Sequence, residues 1–144
     1  MALTIARALL QAVIDQARRE RPYECCGLLA GRSHEVLRVV PMVNSDRSPT
    51  TFRADPLELL AAFEELDRAG LELVGIYHSH PATPARMSPT DLRYAPGYPD
   101  VAHVIVSLAG DEGAPAAGAS SAPVEVRAFR LVDGHVVAEE VLVR

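Results

Sequence analysis

Leu71-Glu72-Leu73-Val74-Gly75-Ile76-Tyr77-His78-Ser79-His80-Pro81 reads as a buried strand that runs straight into two histidines. Alternate side chains of a strand share a face, so His78 and His80 point the same way. That geometry lets two imidazoles bind one ion, and it equally suits a polar, hydrogen-bonded strand end. Ser88-Pro89-Thr90-Asp91 follows as the start of a short helix: Ser88 as N-cap, Pro89 at the first helical position, and Asp91 as the acidic residue of a capping box. Capping does not exclude metal binding by Asp91, because a first-turn carboxylate can point past the helix end. Two histidines and one carboxylate leave a fourth coordination position for water, as catalytic zinc sites do.

Working outward, Val101–Leu108 is a near-continuous apolar strand. Val124–Val132 and Val136–Val143 flank Asp133-Gly134 as a terminal hairpin. Upstream, Asp55 caps a helix that opens at Pro56, buries Leu59, Leu60, Phe63 and Leu66, and stops at Gly70. Glu24–Ala30 and Val36–Val43 form strands joined through Gly31-Arg32-Ser33-His34, and residues 5–19 form an amphipathic helix with Ile5, Leu9, Ala12, Val13 and Ala17 on its apolar stripe. Asn44–Thr51 is a polar loop, and the small-residue stretch Asp111–Pro123 is expected to be a flexible surface loop. The pattern is α/β (α+β): a mixed β-sheet flanked by helices, in a single domain over residues 1–144.

With 144 residues, 49% of them hydrophobic and 23% charged, the composition is ordinary for a globular domain. Folding at this size buries roughly 68–70% of the chain's surface, so no disulfide is needed. The net charge of −5, with no basic run beside aromatic residues, argues against nucleic-acid binding. Arg18, Arg19 and Arg21 gather at a helix C-terminus, where they oppose its dipole. No run approaches the roughly 18 apolar residues of a membrane span, and Arg7 interrupts any signal-like start, so a cytoplasmic location is expected. The adjacent Cys25 and Cys26 point to opposite strand faces and do not suit a disulfide.

Hydrolysis at such a metal site needs a base, and Glu24 is the leading candidate. It opens an apolar strand, where burying a carboxylate is expensive without a partner. On these residues alone a solvent-facing strand-edge glutamate is the preferred reading.

The combination of Pro22-Tyr23-Glu24-Cys25-Cys26-Gly27-Leu28-Leu29-Ala30-Gly31, His78-Ser79-His80-Pro81, six residues, Ser88, two residues and Asp91 resembles the JAMM (MPN-plus) metallopeptidases. The resemblance covers most of the chain, including Asn44–Asp55. It implies a fold similar to that of the cytidine deaminases, one zinc ion ligated by His78, His80 and Asp91, Glu24 as general base and then acid, and Ser88 contacting the oxyanion. The short stretch after Asp91 resembles the minimal prokaryotic type, similar to peptidases that release cysteine from ubiquitin-like sulfur-carrier proteins. The implied substrate is a small ubiquitin-like protein with a Gly-Gly tail, which a narrow channel or an exposed strand edge would suit. The oligomeric state stays open, a homodimer included.

A non-catalytic MPN-type binding module with a structural metal is the second reading, and Glu24 separates the two, since a structural site needs no base. A cysteine peptidase using Cys25 or Cys26 with His78 or His103 is the third. The His-x-Glu and Pro-Cys-x-x-Cys segments of a zinc deaminase are missing. His103 is expected in the core and His34 and His135 in solvent. Arg53 suits either a substrate contact or a surface ion pair, and Arg86 and Met87 are possible cleft-lining residues.

Overall fold

The computed structural model describes residues 2–111 and 124–144, so all of the Asp111–Pro123 loop expectation except Asp111 itself lies outside the described residues. Seven described strands and three α-helices run in the order β1 (Ala2–Ile5), α1 (Arg7–Glu20), β2 (Cys26–Arg32), β3 (Glu35–Met42), α2 (Pro56–Ala69), β4 (Glu72–His80), α3 (Pro89–Tyr94), β5 (Ala102–Ser107), β6 (Glu125–Val132) and β7 (His135–Val143). The strand order is β1-β3-β2-β4-β5-β6-β7, and β1 closes the sheet by pairing parallel with both β3 and β7.

Local chemistry explains most of the elements. Ser33 and His34 (φ 50° and 67°), and likewise Asp133 and Gly134 (φ 50° and 79°), take the left-handed conformation that tight hairpins between twisted strands require. The Asp55 side chain accepts the N–H groups of Leu57 and Glu58 at the start of α2, and Gly70 ends it in the left-handed region at φ 70°. β4 and β5 pair in parallel, so the chain must cross over between them, and α3 lies on that crossover.

The two faces of the sheet carry separate apolar clusters. Leu29, Tyr77 and Val104 pack with Val13 and Ala17 of α1. Cys26, Leu28 and Ile76 pack with Leu59 and Phe63 of α2 and with Phe52 and Tyr94. His78, two residues beyond Ile76, therefore emerges on the α2 face. Tyr77 points the other way, and its hydroxyl donates to Gln16 of α1.

Several details differ from expectation. Residues 2–5 are a strand, with Leu3 and Ile5 alternating inward, so Ile5 is not part of the α1 stripe. On α1 the buried face is Val13, Gln16 and Ala17, and Ala12 is exposed. Leu60 is 55% exposed, because α2 turns Leu66 and Phe63 inward instead. Among the described residues β3 pairs with β1 only through Glu35 and Val36, so the rest of that edge has no strand partner, although Pro41 there has no N–H to offer.

Gly27 faces the Tyr77 ring so closely that a Cβ would overlap it. Gly27→Ala should therefore cost about 1–3 kcal/mol through overpacking, read as a lower urea midpoint with an unchanged slope.

Candidate metal centre

Strand register builds the centre. Cys26 pairs with His78 across β2 and β4. The ladder continues beyond the named end of β2, since the Cys25 N–H donates to Ser79 Oγ (2.8 Å) and the Ser79 N–H donates to the Cys25 carbonyl (3.1 Å). Glu24 precedes this step and lies within electrostatic reach of His80 and Asp91. The third contributor arrives on the crossover, where the Asp91 N–H donates to Ser88 Oγ (3.1 Å) and the Ser88 N–H donates to Asp91 Oδ2 (2.9 Å). This reciprocal capping box fixes the Asp91 carboxylate.

His78, His80 and Asp91 are all buried, and their ligand atoms lie within 4.8 Å of one another. Asp91 Oδ1 is 3.1 Å from His78 Nε2, Asp91 Oδ2 is 3.1 Å from His80 Nε2, and the two Nε2 atoms are 3.2 Å apart. His80 Nδ1 lies 2.9 Å from the Pro84 carbonyl, an acceptor only, so Nδ1 carries a proton; Nε2 faces Asp91, donating to it when the ring is protonated and offering a lone pair when it is neutral. His78 is held on its face by Phe52, stacked at 4.5 Å and 20°.

The electrostatics follow from burial and these contacts. Burial opposes charge on Asp91, yet the hydrogen bonds from His78, His80 and the Ser88 N–H outweigh it and hold the carboxyl well below the usual range. Burial lowers His78, whereas at His80 it is outweighed by Asp91 and Pro84, which raise it. Glu24 is buried, and Oε1 has no hydrogen-bond partner. Burial pushes its pKa up to about 8, with His80 lowering it and Asp91 raising it. The donor set suits a divalent ion: two imidazole nitrogens and one ionised carboxylate converge, and an orphaned carboxyl lies within their electrostatic reach.

The remaining candidates fall elsewhere. Cys25 and Cys26 are free and buried, and burial pushes both thiols up to about 12, which leaves no thiolate near neutral pH. His103 is buried with Nε2 3.1 Å from the Tyr98 carbonyl, and His135 is exposed. His34 is half-buried rather than solvent-facing, with Nδ1 3.4 Å from Arg130. Arg53 and Arg86 are exposed, and Met87 is half-buried against Ala85, Ile105 and Phe129. Arg18 and Arg21 pair with Asp111, beyond any service to the helix dipole. Sequence reading missed Phe52, Ser79, Asn44 and the Pro84 carbonyl, whose roles arise only from tertiary contact.

Ligand atoms on one side and a protonatable carboxyl on the other are the requirements of a hydrolytic metalloenzyme. The comparisons agree. A family model for prokaryotic homologs of the JAB domain matches residues 6–131, and the chain belongs to that family. It is 42% identical over 143 residues to a probable TtuB-protein conjugate cleaving protease of Thermus thermophilus, covering 99% of this chain and 84% of the relative. It is 39% identical over 141 residues to the CysO-cysteine peptidase of Mycobacterium tuberculosis, covering 96% and 89%. The solution structure of a Desulfitobacterium hafniense protein superposes with a TM-score of 0.82 at 34% identity, covering 100% of this chain and 93% of that one. The chain is an enzyme, a JAMM-type peptidase. No helix among the described residues is long and apolar enough to cross a membrane.

Because Glu24 is raised in the folded, metal-free protein, the folded state binds more protons than the unfolded one between about pH 4.5 and 8. The Glu24 contribution to the stability of the metal-free protein then falls with rising pH across that window. Glu24→Gln removes this contribution. Its urea midpoint, relative to the parent's, should rise from pH 5 to pH 8 in chelator-treated samples.

Proposed function

We propose that the protein is a zinc-dependent peptidase or isopeptidase that hydrolyses an amide bond at the C-terminal tail of a small ubiquitin-like protein. The observation that carries this reading is the His78–His80–Asp91 cluster beside the orphaned carboxyl of Glu24. A structural metal site has no use for such a carboxyl, so the binding-module alternative leaves Glu24 unexplained. Relatives named for cutting CysO-cysteine and TtuB-protein conjugates support a substrate in which a second group is joined to a small carrier protein. The two free cysteines suit a reducing, cytoplasmic setting.

Held by His78, His80 and Asp91, zinc would supply a Lewis acid that polarises the substrate carbonyl and acidifies water. Glu24 takes the proton from the attacking water and returns it to the leaving amine. A carboxyl poised near the working pH can do both, and a cation in the centre draws its pKa down from the metal-free value. Asp91, held far below that range, stays ionised and serves as ligand. The Ser88 hydroxyl spends a lone pair on the Asp91 N–H, which leaves its proton free to donate to the oxyanion.

Metal analysis of the purified protein should find about one zinc per chain, as expected for a single set of three ligands with an open fourth position. Glu24→Gln should keep that metal and lose hydrolysis, whereas His80→Ala should lose both. A protein that stays metal-free and inert after zinc addition would sink the reading, and a zinc-loaded but inert parent would favour the binding module. The substrate assay is incubation with carrier proteins of the same genome bearing C-terminal extensions, with products read by intact mass.

Ser88→Ala should lower kcat by about 10²–10³ if the hydroxyl contacts the oxyanion. Loss of the cap alone should cost only about 1 kcal/mol of stability and leave kcat nearly unchanged.

A further inference from the structure

Asn44 is buried, and its amide is fully engaged. Nδ2 donates to the Glu24 carbonyl (3.0 Å) and the Thr51 carbonyl (2.9 Å). Oδ1 accepts from the N–H groups of Asp46 (3.0 Å) and Arg53 (3.0 Å). A side-chain amide offers two donors and two acceptor lone pairs, so nothing is left over. Its partners include the backbone of Glu24 and the residues on either side of Phe52. The same loop holds Glu24 from its other side, where the Glu24 N–H donates to the Ser48 carbonyl (2.9 Å). Phe52 in turn lies flat against His78 and meets Tyr94 of α3 edge-on at 5.0 Å and 66°.

We propose that Asn44 and Phe52 form one positioning unit for the centre: Asn44 fixes the backbone of Glu24 and of the Phe52 segment from a single side chain, and Phe52 fixes the ring plane of His78. This rests on the reading of Glu24 as base and of the cluster as a metal site. A loop without regular structure would otherwise let Glu24 drift relative to the histidines, and misplacement by about 1 Å can cost roughly 100-fold in rate. Neither residue touches the reacting atoms in this scheme. Both act through groups that do.

Two substitutions separate the halves of the unit. Asn44→Asp keeps the acceptor side but cannot donate to Glu24 and Thr51. Phe52→Leu keeps apolar volume and removes the ring. Parent, single and double variants are titrated with cobalt(II) and zinc(II) against a chromophoric chelator, cobalt spectra are recorded, and kcat and KM are measured on a carrier fusion that the parent cuts. Phe52→Leu should weaken metal binding about tenfold, the low end for a residue that orients a ligand, and should shift the cobalt visible bands. Asn44→Asp should hold metal nearly as the parent does, lower kcat by about tenfold or more and leave KM little changed. The double variant should lose less than the product of the single losses. Parental affinity and spectrum in Phe52→Leu, or parental kcat in a folded Asn44→Asp, overturns the proposal. If Asn44→Asp does not fold, the Phe52→Leu titration decides alone. A parent that binds neither metal overturns the functional reading and this unit together. A parent that binds cobalt while Phe52→Leu is indistinguishable from it overturns only the unit.

Discussion

The register of β2 on β4 is the constraint on which the centre depends. Pairing of Cys26 with His78 is a backbone matter, set by the ladder and by the apolar alternation that sends Leu28 and Ile76 to one face and Leu29 and Tyr77 to the other. A slip by one residue would turn both histidines toward the α1 face and Glu24 away from them. Ser79 reinforces the register where it matters most. Its backbone and hydroxyl both bond to Cys25, so the ladder stays closed one step past the last regular pair. The residue between the two ligands thus aligns the strand that carries the proposed base.

Asp91 reaches the same place by a different route. Parallel pairing of β4 with β5 forces a crossover at the C-terminal end of β4, and the crossover must begin close to the histidines. The capping box that starts α3 then does double duty. It satisfies helix-end N–H groups, and it locks a carboxylate that would otherwise rotate freely. One Asp91 oxygen faces each histidine, and the oxygen nearer His80 also takes the Ser88 N–H. Local helix chemistry and ligand placement are the same set of bonds, which is why the capping reading and the metal reading of Ser88-Pro89-Thr90-Asp91 do not compete.

This explains what could be read in advance. His78, His80, Ser88 and Asp91 carry signals of local origin, namely strand alternation and helix capping, and so do the hairpin at Asp133-Gly134 and the ends of α2. Glu24 had only a weak local signal, a carboxylate opening an apolar strand. Its burial follows from a strand pairing across a large sequence gap, and the family resemblance decided in favour of the base. Ile5 fits a helical stripe and an alternating strand equally well, and the choice is made by β3 and β7, which β1 bridges in parallel. Asn44 reads as an ordinary loop residue, because an amide's four partners are fixed by the fold and leave no pattern in composition. Phe52 is similar: a lone aromatic beside a polar loop says nothing about the imidazole it will cover.

The same physics accounts for why the polar cluster can sit in so apolar a setting. Four ionisable groups, Glu24, His78, His80 and Asp91, are buried, and each would be costly there alone. Three of them offset that cost through one another and through Ser88 and Pro84, which leaves Asp91 ionised and His80 more basic than usual. Glu24 is left out of this network, and its raised pKa is the measure of that exclusion. A fold selected only for stability would replace such a residue with an apolar one of similar size, since an unpartnered buried carboxyl contributes nothing to folding. In the proposed mechanism this carboxyl, placed beside a rigid set of ligand atoms by neighbours that are themselves fully hydrogen-bonded, takes and returns the proton once a bound cation has drawn its pKa down.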